Sequence, residues 1–217
     1  MDTATPAVTV ALHDGERVLA ESLAVDARRH GELLAPGIAA VLDEAGVTTR
    51  DLTDVAVGTG PGPFTGLRVG LVTARTLAAT LGISAHGLCT LDALAWRAVA
   101  EHDVDAPFLV ATDARRREVY WAAYEPRRDG LPQRVDGPHV DYPDAVPVEG
   151  RPVVGRGAQL YPDALGATPA PLDPSAGALA ELAVRWLADG VDLSDLSPRY
   201  LRRPDVHEGG GRKSVLS

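Results

Sequence analysis

Gly58-Thr59-Gly60-Pro61-Gly62-Pro63-Phe64-Thr65-Gly66-Leu67-Arg68-Val69-Gly70 is the stretch on which the reading of the fold turns. Ahead of it, residues 54–58 (Asp-Val-Ala-Val-Gly) read as a short buried strand, and beyond it an apolar-periodic helix runs to about residue 81. A glycine-rich junction between strand and helix aims backbone amides and a helix N-terminus at one spot, which can cradle an anion. The spacing is not that of a Walker A loop, because no Gly-Lys-Ser/Thr follows. Nor is it Gly-x-Gly-x-x-Gly, because Pro63 falls where the third glycine would stand. Gly58, Gly60, Gly62 and Thr65 are thus candidate loop residues, set against the plainer reading of a tight connection whose glycines permit positive φ.

Inside the helix, Gly66, Gly70, Ala74 and Ala78 recur every four residues and form one smooth ridge. Small residues let another backbone come close. That backbone is either this chain's own core or a helix of another chain. Leu67, Leu71, Val72, Arg68 and Arg75 run beside the ridge.

Upstream, residues 8–12 alternate like a half-buried strand, Asp14-Gly15 supplies a turn, and residues 17–24 return as a second strand. A helix over 32–45 follows, with Leu34, Ile38, Val41, Leu42 and Ala45 at helical spacing, Pro36 in its first turns and Gly46 as C-cap. Downstream come a short strand at 83–85 and a helix over 91–101 with Thr90 as its cap. Residues 108–112 and 118–124 read as strands, 125–152 as loops and short edge strands, and 153–155 as another strand. Residues 175–189 form an amphipathic helix. The pattern is α/β. The polar run at 102–107 divides it into a unit over 1–105 and a unit over 106–203, followed by a mobile tail over 204–217.

The two halves share a plan of strand, Asp-centred turn, strand. In the second half the strand at 108–112 leads to Asp113, whereas in the first half only Met1 precedes Asp2. The first copy is therefore expected to lack its opening strand, and with it a ladder of backbone hydrogen bonds.

Composition sets outer bounds. With 217 residues, 45% hydrophobic and 24% charged, the chain can bury a core, which excludes wholesale disorder. A net charge of −9 disfavours clamping nucleic acid alone. One cysteine, Cys89, excludes an internal disulfide and multi-cysteine zinc sites. No apolar run is long enough for a membrane span, and the opening residues lack the pattern of a signal peptide, so a cytoplasmic location is expected.

Asp-Thr-Ala-Thr at 2–5, Arg-His-Gly-Glu-Leu-Leu at 29–34, the 58–70 run, Asp-Ala-Arg-Arg-Arg-Glu-Val-Tyr at 113–120 and Arg-Tyr-Leu-Arg-Arg-Pro at 199–204 together resemble the TsaB (YeaZ) family. That family serves threonylcarbamoyladenosine biosynthesis on tRNA. The resemblance implies an actin-like (ASKHA) α/β fold of two ribonuclease-H-like halves, and a subunit without chemistry or cofactor of its own. It implies pairing with the catalytic paralogue TsaD, joined by the ATPase TsaE, with tRNA reached through the complex and a homodimer forming when TsaD is absent. Docking through the two helices of the first half would use Leu34, Ile38, Gly66, Leu67, Arg68, Gly70, Leu71, Ala74 and Arg75.

No two of His13, His30, His86, His102, His139 and His207 stand four apart, so the helical HxxxH metal pair is missing and no metal ligand is assigned. This also removes the ligands that a glycoprotease reading would need. Asp2 and Asp113 lie in turns that face phosphate and magnesium in actin-like kinases, which keeps an ATP-binding phosphotransferase or ATPase acting alone as the alternative. Arg115 and Arg116, in the densest basic run, are candidates for nucleotide or tRNA contact, against the reading of a solvated turn.

Overall fold

The computed structural model describes residues 1–102, 104–126, 130–166 and 171–202; the expected tail over 204–217 lies outside them. β1 (Ala7–His13) and β2 (Val18–Val25) form an antiparallel hairpin running from Ala7↔Val25 to His13↔Val18. Its turn is tied by Asp14, whose Oδ1 accepts the N–H groups of Glu16 (2.9 Å) and Arg17 (2.8 Å). α1 (His30–Ala45) ends where expected, on Gly46 in the left-handed region at φ 68°. It begins two residues earlier than its periodicity predicts, so Pro36 falls in the second turn. Pro36 and Glu32 are both exposed there, so the carbonyl that Pro36 leaves unbonded lies on the solvent side of the helix.

β3 (Asp54–Gly58), α2 (Phe64–Leu81) and β4 (Ser84–Leu88) make a β-α-β unit in which the two strands pair in parallel. α3 (Thr90–His102) follows. Thr90 is not the free cap expected, since its hydroxyl donates to Asp2 Oδ2 at 2.7 Å and accepts the Gly60 N–H at 3.2 Å.

β5 (Phe108–Asp113), β6 (Val119–Pro126), β7 (Pro132–Asp141) and β8 (Val153–Val154) form one sheet in the order β7-β6-β5-β8, antiparallel except for β5 with β8. The sequence over 125–152 reads mostly as loop, yet β7 is ten residues long. Its Pro132, Gly137 and Pro138 are tolerated because it lies at the sheet's edge, where one side of the backbone needs no partner. Two short helices the sequence did not signal follow, α4 (Arg156–Leu160) and α5 (Pro162–Leu165). α6 (Ala176–Ala188) is capped by Ser175 Oγ, which accepts the Ala178 N–H at 3.1 Å.

α6 crosses the boundary expected at 105/106. Its Ala176 N–H reaches Thr9 Oγ1 at 3.0 Å, and Gly177 N–H and Ser175 Oγ both donate to Glu21 Oε1. Leu179, Leu182 and Ala183 of α6 share a core with Leu88, Ala93 and Trp96. On the opposite face of β1, Val8, Val10 and Ala20 pack under Leu34 and Val41 of α1. The hairpin is thereby covered on both sides.

The strands of the first half do not form one sheet. β1-β2 and β3-β4 are separate two-stranded ribbons, and Asp2 forms an isolated antiparallel bridge with Thr9. Met1 donates to Ala56 O (2.9 Å) and accepts from Gly58 N–H (3.0 Å), while Asp2 and Thr9 exchange backbone bonds of 2.9 and 3.0 Å.

Candidate functional site

The glycine run after β3 closes over the Asp2 turn. A Cβ on Gly58 would stand 1.8 Å from Asp2 Oδ2, and one on Gly62 would stand 2.1 Å from the Ala4 carbonyl, so both positions admit only glycine. Gly60 adopts φ +92°, where a side chain is strained. Asp2 has no exposed surface; its Oδ1 accepts the Ala4 N–H at 2.7 Å, and its Oδ2 accepts the Thr90 hydroxyl. Burial pushes its carboxyl above the ordinary value, with the two hydrogen bonds opposing. Thr59 is pinned by Leu88 O and by Arg199, whose N–H donates to Thr59 O at 2.8 Å. The glycines bring backbone against backbone and leave no opening at Asp2 for a phosphate. Thr65, at the start of α2, is exposed.

Asp113 is held in a similar way. Its Oδ1 accepts the Arg115 N–H at 2.7 Å, and its Oδ2 lies 3.4 Å from the Arg115 guanidinium. Arg115, Arg116 and Arg117 all sit in the left-handed region, at φ 62°, 54° and 63°. Arg115 and Arg116 line a cleft of about 260 Å³, together with Gly62, Phe64, Tyr200 and Arg202. Arg202 is ion-paired with Glu118. His30, which stands before the first helix in sequence, lies 2.8 Å through Nε2 from Thr5 O. Among the described residues no cluster of three His, Cys, Asp or Glu is arranged to hold a metal ion.

The ridge on α2 faces inward. Gly66, Leu67, Gly70, Leu71 and Ala74 are buried, and so is Leu34 of α1. A Cβ on Gly66 would meet the Thr3 carbonyl at 2.5 Å, and one on Gly70 would meet Thr3 Oγ1 at 2.6 Å. The backbone that the small residues admit is this chain's own residues 1–5, the first of the two alternatives that the sequence left open. Ile38 is half-buried, while Arg68 and Arg75 are exposed.

The outward side of α2 carries a different set. Phe64 is 40% exposed and Val72 59%. Arg68 lies over the Phe64 ring, 3.8 Å from its centroid, and the Phe64 and Tyr200 rings are 5.2 Å apart. Arg75 donates to Leu196 O at 3.0 Å. On α1, Ala35, Pro36 and Ala39 are exposed. Phe64 and Tyr200 escaped the sequence reading because they meet only across most of the chain. The usable signal was Val72, which sits off the ridge and is too apolar for a solvated position.

Comparison with known proteins agrees with this architecture. A family model described as "TsaD: tRNA N6-adenosine threonylcarbamoyltransferase" matches residues 17–149. An uncharacterised protein of Mycobacterium tuberculosis is 44% identical over 211 residues, covering 95% of this chain and 92% of that one. The tRNA threonylcarbamoyladenosine biosynthesis protein TsaB of Escherichia coli is 32% identical over 220 residues, covering 93% of each. Among solved structures, YeaZ from Pseudomonas aeruginosa is similar at TM-score 0.76 and 34% identity, covering 92% of this chain and 97% of that one.

Proposed function

The chain belongs to the TsaB (YeaZ) family of actin-like α/β proteins, and from that membership we propose that it serves tRNA threonylcarbamoyladenosine biosynthesis as a non-catalytic subunit, binding a TsaD-type transferase and activating it. The observation that carries this reading is the outward face of α1 and α2. Phe64 and Val72 stand exposed on α2, with Tyr200 and Arg68 packed against the Phe64 ring, and α1 exposes the small Ala35 and Ala39. Apolar anchors flanked by small residues suit helix-on-helix packing at the centre of an interface. Docking therefore uses the exposed side of the helices that the sequence singles out, with Arg68 and Arg75 at its rim.

Two features favour a partner over a lone phosphotransferase. Asp2 is sealed with both carboxylate oxygens engaged, and Asp113 is occupied by Arg115. Neither is open to metal-bound phosphate, which such chemistry requires. In the assembly, a TsaE-type ATPase joins the pair, the same helical face takes a second copy when TsaD is absent, and tRNA is met through the complex near Arg115 and Arg116.

Val72→Glu tests the reading. The residue touches little in the free chain, so the melting temperature should hold, while affinity for co-expressed TsaD should fall at least about tenfold. Undiminished co-elution of the variant would overturn the docking face. Steady ATP turnover by the pure chain, lost in Asp113→Ala, would overturn the non-catalytic assignment.

A further inference from the structure

After α6 the chain runs over residues 191–202 without regular secondary structure, yet it is tied down at intervals. Gly87 N–H donates to Leu193 O at 2.7 Å, and Arg75 of α2 donates to Leu196 O at 3.0 Å. Leu196 packs against the core of Val55, Val57 and Leu71. Arg199 is fixed twice to Thr59, its N–H on the carbonyl at 2.8 Å and its Nε on Oγ1 at 3.2 Å. Thr59 is itself buried and bonded to Leu88 O, so Arg199 is anchored on the junction between β3 and α2.

Beyond this anchor two side chains diverge. Tyr200 turns to α2, its ring 5.2 Å from that of Phe64 and its hydroxyl 3.4 Å from Arg68 Nε. Arg202 turns to the second half, where its Nη1 donates to Ala114 O at 3.2 Å and its Nη2 pairs with Glu118. Three residues of fully extended chain span only about 10 Å. With Arg199 anchored and Arg202 engaged, Tyr200 has little slack in which to move alone. Phe64, Arg115, Arg116, Tyr200 and Arg202 accordingly line one cleft.

The far end of this strap is a strained loop. Arg115, Arg116 and Arg117 adopt the left-handed conformation in succession, although it crowds Cβ against the following carbonyl and is normally visited by single residues. Such a run persists only where surrounding contacts over-determine it. Within the loop, Asp113 Oδ1 holds the Arg115 N–H, Glu118 N–H donates to Arg115 O at 3.0 Å, and Ala114 N–H donates to Glu118 O at 3.0 Å. Arg202 adds a tie from outside. It grips the residue before the run by its carbonyl and the residue after it by its carboxylate. The side chains of Arg202 and Glu118 are 26% and 22% exposed, so salt screens the pair less than a surface pair.

We propose that Arg202 is the positioning residue of the arginine turn, and that residues 199–202 carry the state of the Phe64 face to Arg115 and Arg116. Docking on α2 confines the Phe64 and Tyr200 rings. Through the short link to Arg202 it then holds the turn in its left-handed form, presenting the guanidinium groups to phosphate in one preorganised arrangement. The trigger rests on the docking face proposed above, but the link from Tyr200 to the turn belongs to the free chain and is measured there.

Trypsin cleavage after Arg115, Arg116 and Arg117, identified by fragment mass, reads the turn, because all three are exposed and cleavage requires the loop to open. In the free chain Arg202→Ala should speed this cleavage at least about tenfold, with Arg202→Lys falling between it and the parent. Tyr200→Ala, whose lost ring packs on α2, should speed it at least about threefold. An unchanged rate in either alanine variant would overturn the strap, and so would an equal rise after Arg50 and Arg97, the mark of general loosening. Saturating TsaD should slow cleavage at the turn at least about tenfold in the parent and less than about twofold in Arg202→Ala. Equal protection of both would show that the partner covers the turn directly and would overturn the coupling. The free-chain rates involve no TsaD, so the docking face can fail while they still decide the strap.

Discussion

Gly70→Ala is expected to destabilise the protein, although alanine is the better helix former. Gly70 lies within α2, and on intrinsic propensity alone the change should gain about 1 kcal/mol. Against this, the new Cβ would stand 2.6 Å from Thr3 Oγ1 and 3.6 Å from Val57 Cγ2. The Thr3 hydroxyl cannot yield cheaply: it is buried, donates to Gly66 O at 2.7 Å and accepts the Gly70 N–H at 3.0 Å. Pushing it aside costs about 1–3 kcal/mol in overpacking and about 1 kcal/mol for each weakened bond. The loss outweighs the propensity gain and leaves a net destabilisation of about 2–4 kcal/mol. For a chain of this size that is a fall of about 4–16 °C in melting temperature, read by circular dichroism. Thr3→Ala combined with Gly70→Ala should lose less than the two singles added together, since the clash vanishes with the hydroxyl. A Gly70→Ala protein melting at or above the parent temperature would refute the burial of the ridge against residues 1–5.

Tyr124→Phe should lower the denaturation midpoint by the equivalent of about 1–3 kcal/mol. The hydroxyl donates to Asp92 Oδ1 at 2.7 Å in a buried site where Arg134 stands 3.3 Å away, so its removal leaves a buried carboxylate short of a donor; an unchanged midpoint would contradict this. Cys89 is 1% exposed, and burial pushes its thiol up to about 12, so it stays protonated through pH 9. Iodoacetamide should leave it unmodified in the folded protein from pH 7 to 9 and label it in denaturant, whereas prompt labelling of the folded chain would refute its burial.

Much of this protein is legible residue by residue. The strand at 54–58, the helix ending at Gly46, the helix after the glycine run and the Ser175-capped helix follow from periodicity and capping within a few neighbouring residues, so the sequence announces them. β7 was less legible. Its Pro132 and Gly137-Pro138 carry the local signature of loop, and pairing with β6 outweighs that signature.

What sequence could not decide is which body each face meets. Helical spacing puts Gly66, Gly70 and Ala74 on one side of α2, but the group that covers the two glycines, Thr3, is more than sixty residues away in the chain, and Ala74 packs with Val55 and Val57 of β3. The seal over Asp2 likewise depends on Gly58 and Thr90, and the cover over β1 on a helix whose first N–H bonds Thr9 across 167 positions. Local periodicity encodes the direction of a side chain relative to its own element. Only three-dimensional packing brings distant segments together, and that packing buries the ridge and leaves Phe64 and Val72 facing outward.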